Sequence, residues 1–185
     1  MTSPERAQAT DSDDEDAKLF EPTLTSLFEH RRVRGGVKGL AAGGVATVVM
    51  SCFRISISQS PPPTSWFWAK YVSGGEPEDH LVPGAILHLF YGIVAGGVFG
   101  ALVSAPSDSS DPRDGGEADE RSQVTTEQKT TALGLVYGIL ISVFGTATLI
   151  RRVLQLDLDE DERFVFHASH VVYGLALGAW FGSDR

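Results

Sequence analysis

This 185-residue chain has a single cysteine and four lysines, and none of its 24 acidic residues falls inside any of four long apolar runs. The lone Cys52 rules out an intrachain disulfide and a Cys-rich zinc site, and its plain reading is a small apolar packing residue. The net charge of -9 leaves no basic surface for a nucleic acid, so no nucleic-acid partner is expected. The first 30 residues are polar and acidic, and no cleavable leader is expected there. A Gly-rich phosphate loop, a nucleophile elbow and a metalloprotease helix motif are all missing, so no enzyme is expected and no catalytic residue is named.

The mean hydropathy of -0.01 conceals strong segregation. The apolar runs are Gly36–Ile57, Pro83–Ala105, Thr131–Leu154 and Phe164–Gly182. Each is long enough to cross ~30 Å of hydrocarbon as a helix. A helix in a soluble core keeps one charged face, and these runs have none. Lys38 and Arg54 sit near the ends of the first run, from which long basic side chains reach the headgroups. The expectation is an all-α integral membrane protein, a four-helix bundle whose surroundings are the lipid bilayer.

The rest of the chain divides around these spans. Residues 1–34 read as an acidic tail, without order over Met1–Lys18, followed by a short amphipathic juxtamembrane segment in which Leu24, Leu27 and Phe28 share a face. Residues 35–105 hold two spans joined by a connector with Pro61-Pro62-Pro63 and Trp66-Phe67-Trp68, whose aromatic rings suit the membrane interface and suggest a short surface helix. Residues 106–130 form an acidic linker, and residues 131–185 hold two more spans joined by an acidic hairpin loop. With the N-terminus inside, the cytoplasmic face carries Arg31, Arg32, Arg34, Lys38, Arg113, Arg121, Lys129 and Arg185. The outer face then carries Arg54, Lys70, Arg151, Arg152 and Arg163. The bias places both termini in the cytoplasm and the chain in the cell membrane. Arginine outnumbers lysine 11 to 4, and this acidic, Lys-poor composition resembles that of haloarchaeal proteins.

The spans repeat. His88, Tyr91, Gly92, Gly96, Phe99 and Gly100 recur as His170, Tyr173, Gly174, Gly178, Phe181 and Gly182, at an offset of 82. Gly39, Gly43, Thr47 and Ser51 align with Gly134, Gly138, Ser142 and Thr146 at an offset of 95. A duplicated two-helix unit returns to the same side of the membrane, so its copies form parallel repeats about an axis along the membrane normal. Small residues four apart let helices approach closely in lipid, so Gly39, Gly43, Gly92, Gly96, Gly100, Gly134, Gly138, Gly174, Gly178 and Gly182 are the expected packing seams.

Polar side chains at membrane depth are costly and mark candidate sites. Here they are His88, Tyr91, His170 and Tyr173, with Arg54 and Arg151 at matching span ends. Three readings stand side by side. The histidines can bond across helices as structural glue. They can line a polar cavity that binds an anion or headgroup or conducts a solute, a role that favours a homo-oligomer because four helices are few for a lone transporter. They can also ligate haem, or a divalent metal through His88, His167 and His170, although the spans hold no acidic group to orient them. The leading expectation is a non-enzymatic membrane protein, structural or part of a transport system, without a cofactor.

The Gly-rich first span over Gly39–Ser51, the prolines Pro61-Pro62-Pro63 and the opening His88-x-x-Tyr91-Gly92 of the second span carry a resemblance. Residues 36–102 are similar to small prokaryotic inner-membrane proteins of the YagU-like type and related archaeal families. The resemblance implies a small multispanning membrane protein. YagU-like proteins carry a basic residue in the proline cluster, whereas all three places here are Pro, so no ligand and no catalytic residue carries over.

Overall fold

Uncharged runs bounded by charge become helices because lipid leaves every backbone amide to be satisfied within its own segment. The computed structural model describes residues 11–58, 60–104 and 119–183. Helix α1 spans Asp11–Ile57, α2 Pro63–Trp68, α3 Leu81–Val103, α4 Asp119–Gly145 and α5 Glu160–Ser183. A π-helical turn, Ala69–Ser73, follows α2, and a 3-10 turn, Pro77–His80, leads into α3. Helix α4 continues as a π-helical segment, Thr146–Leu154, that ends at Gln155 in a left-handed conformation (φ 59°). Four helices, Glu29–Ile57, Pro77–Val103, Thr126–Leu154 and Glu160–Ser183, are long and apolar enough to cross a membrane. At most 39% of the apolar window in any of them is buried, which leaves a largely apolar exterior. The fold is an all-α four-helix bundle.

Several boundaries differ from those expected. Helix α1 runs unbroken from Asp11, so the stretch from Asp11 to Lys18 is helical rather than unordered, and the juxtamembrane segment is not a separate helix. Residues 1–10 lie outside the described residues, as do 105–118 of the acidic linker; its remainder, from Asp119, belongs to α4. Cys52 is exposed on α1 rather than packed. The connector does form the short helix expected of it. Pro63 opens α2, where a missing amide proton costs nothing, and Thr64 and Ser65 are buried.

Glycine seams hold each helix to its partner. A Cβ placed on Gly39 would strike the Gly96 carbonyl oxygen, and one on Gly43 would strike that of Gly92. In the second pair, a Cβ on Gly134 would strike the Gly174 carbonyl and one on Gly138 that of His170. Both pairs are therefore antiparallel and in backbone contact. Their registers place Gly134 where Gly43 stands, an offset of 91, one helical turn from the 95 read off the sequence. Gly182 lies against Thr130, and Gly100 against Gly35 and Gly39.

Helix α1 packs on α3 along one face and on α5 along another, while α3 and α4 touch only sparingly. The core between α1, α3 and α5 holds Ala42, Ala46, Met50, Phe99, Tyr173 and Leu177. A smaller cluster of Ile150, Leu154 and Phe166 fills the end of the bundle that carries the short loops. The central α1–α5 pair is closed, and the α3–α4 flank is open at that end.

Candidate functional site

The loop end of the bundle is built around the first turn of α3. A Cβ on Gly84 would strike the Ser65 side chain and backbone, so α2 sits directly on α3, and Ser65 donates a hydrogen bond to the His80 carbonyl at 3.2 Å. Toward the other half, Lys70 Nζ donates to the carbonyls of Leu154 (2.8 Å) and Val153 (3.2 Å), and the Tyr71 hydroxyl donates to Val153 at 2.6 Å. These are free carbonyls at a helix C-terminus, where a cation and donors are favoured. The connector of the first half thus caps the π-helical segment of the second.

Around this frame stand the polar candidates. His170 is 6% exposed, its ring 4.4 Å from that of Phe166 and its Nδ1 2.8 Å from the Phe166 carbonyl. A carbonyl only accepts, so Nδ1 carries a proton. His88 is half-buried and hydrogen-bonds none of the described residues. His88 and His170 line one small cavity together with Tyr91, Tyr173 and Thr47. Tyr173, 3% exposed, donates its hydroxyl to the Gly92 carbonyl at 2.7 Å, whereas Tyr91 is 45% exposed. Tyr137, which the sequence reading did not single out, makes the same kind of bond to the Ala95 carbonyl at 2.7 Å. Each such bond joins two helices through a carbonyl that already closes its own helical turn.

Arg54 is half-buried at the end of α1 and makes only long contacts, 3.4 Å to the Ser60 carbonyl and 3.5 Å to that of Pro61. Glu162 accepts from the Ser60 hydroxyl at 2.8 Å and lies within electrostatic reach of the guanidinium. No carboxylate among the described residues comes within 4.0 Å of Arg54. Both side chains line a cavity of about 310 Å³ with Trp66, Glu78 and Asp157. Arg151 is exposed and stands apart from these cavities.

Among the described residues no three His, Cys, Asp or Glu side chains gather to hold an ion. His167 stands with its Nδ1 3.0 Å from the Ser142 hydroxyl, which itself donates to Ile139, rather than joining His88 and His170 around a common point. Helical spacing alone put His167 and His170 together, and tertiary packing separates their roles.

The sequence reading did not single out Thr64, Ser65, Tyr137 or Glu162 as site residues, although Thr64 and Ser65 sit between the proline and tryptophan clusters and Glu162 in the acidic hairpin loop. Only the hydroxyl of Tyr137, inside an otherwise apolar run, offered a signal. No protein-family model, no curated protein and no solved structure matches this chain.

Proposed function

We propose that the protein is a non-enzymatic, multi-pass membrane protein of a structural or transport assembly, built from two copies of a helix pair with both termini in the cytoplasm. Its loop end takes up a small zwitterionic group. One observation carries this reading: the 310 Å³ cavity sets a guanidinium, with no carboxylate of the described residues within 4.0 Å, among three carboxylates and an indole. Arg54 suits the anionic part of a ligand, and Glu78, Asp157 and Glu162 suit a cationic part that rests against Trp66. A purely anionic ligand would meet the three carboxylates, and a purely cationic one would meet Arg54.

The test is a thermal-unfolding titration of the purified protein with phosphocholine, phosphate and choline. Phosphocholine is expected to stabilise saturably, by about 2.7 kcal/mol at a hundred times its dissociation constant, and Arg54→Gln and Glu162→Gln each remove the gain. Equal stabilisation by phosphate or choline alone, or an undiminished gain in Arg54→Gln, overturns the reading.

A further inference from the structure

The Arg54 cavity does not end at the guanidinium. On the other side of Arg54 a second cavity, of about 340 Å³, lies between the last turns of α1 and the first turns of α3. The two share Arg54, Ser60, Pro63 and Phe166 and so meet at these residues. The wall of the second is largely apolar, with Met50, Ile55, Leu81 and Ala85, and is interrupted by serines and His88. Ile55 and Leu81 are exposed on the outer surface of membrane-crossing helices, so this cavity opens toward acyl chains.

Charge is placed unevenly along this pair. Trp66, Glu78, Asp157 and Glu162 line the first cavity alone, and no acidic residue among the described ones lines the second. Arg54 stands at the junction, in the last turn of α1, where a basic side chain reaches the depth of lipid phosphates. An occupant entering from the bilayer therefore meets an apolar wall, then a guanidinium, then carboxylates and an indole. A third cavity, where α3 and α4 part, has neither Arg54 nor a carboxylate in its wall, so it selects no headgroup.

A phospholipid whose headgroup ends in an ammonium carries its groups in the same order: chain, phosphate, cation. A free zwitterion fills the first cavity and leaves the second without an occupant. A fatty acid supplies chain and anion but brings no cation to the three carboxylates. An amphiphile with its cation next to the chain sets like charge on Arg54 and its anion on the carboxylates. Resting on the zwitterion reading of the Arg54 cavity, we infer that the joined cavities hold one phospholipid of this class. Its phosphate meets Arg54, its ammonium lies against Trp66 with Glu78 and Asp157, and one acyl chain runs past Ala85 and Met50.

The experiment is titration calorimetry of the protein in maltoside micelles, corrected against empty micelles, with phosphocholine and its propyl and hexyl esters. Affinity is expected to rise about fourfold for each methylene added to the chain. Ala85→Phe sets a ring in the apolar cavity alone, so it should abolish that rise while phosphocholine itself still binds, which also shows that the variant is folded. A sulfobetaine with its hexyl chain on the ammonium, the reverse order of charges, should gain nothing from that chain. Phosphocholine binding with no gain from a chain overturns the inference and leaves the headgroup reading standing. A rise that persists in Ala85→Phe, or an equal rise with the sulfobetaine, overturns it as well. If neither phosphocholine nor its esters bind, the zwitterion reading falls and the phospholipid with it.

Discussion

Gly43 and Gly44 are chain neighbours with opposite surroundings. A Cβ on Gly43 would collide with backbone atoms of Gly92 and Gly96, which cannot move aside, whereas one on Gly44 would meet only the Ile93 side chain at 3.5 Å. Gly43→Ala should therefore force α1 and α3 apart and cost about 1–3 kcal/mol, the usual toll of overpacking, while Gly44→Ala should be neutral or slightly stabilising. Thermal midpoints and elution profiles in detergent separate the two outcomes. The same ladder leaves the alignment of spans one and three open by a turn. Small residues recur every four positions through Gly39, Gly43, Thr47 and Ser51 and through Gly134, Gly138, Ser142 and Thr146, so a slide of one turn still matches small to small. Periodicity shows that a seam exists and on which face. The backbone contacts of Gly134 with Gly174 and Gly178 decide its register.

At the scale of elements, the connector after α1 is more than a link. Its prolines end the helix and its aromatic residues were legible as an interfacial cluster, but its attachment to the second half was not, because Lys70 and Leu154 are far apart in the chain. Lys70→Met leaves the carbonyls of Val153 and Leu154 without their cation, at a cost of about 1 kcal/mol. Hydrogen exchange should then quicken over residues 150–156 and stay unchanged in the α1–α3 seam. Equal exchange in both forms would mean that the cap contributes nothing to the order of this end.

For the whole molecule, the outward faces decide the environment. Val48, Ile86, Phe90, Val136 and Phe144, each more than half exposed, lie on three of the long helices, α1, α3 and α4. In water such a surface would associate without limit, and in lipid it is the preferred exterior. The protein is expected to stay with membranes through an alkaline carbonate wash and to leave them only in detergent. Release by carbonate alone would contradict a spanning topology. Tags at the two ends should both be reached from one and the same side of the membrane, as an even number of spans requires.

Hydrophobic length, the absence of acids from the spans and four-residue glycine spacing established, from the sequence alone, an all-α chain with four membrane-length helices and close seams, since each depends only on local composition and on a period along one helix. What tertiary structure decided is which seam meets which. It closed α1 on α5 and left α3 and α4 parted, so residues at matching places in the sequence fell into unlike surroundings: His170 bonded and buried, His88 at a cleft without a hydrogen bond among the described residues, and Arg54 lining a cavity while Arg151 lies outside. Like sequences do not dictate like environments, because burial is a property of the partner across the interface, and that partner lies elsewhere in the chain.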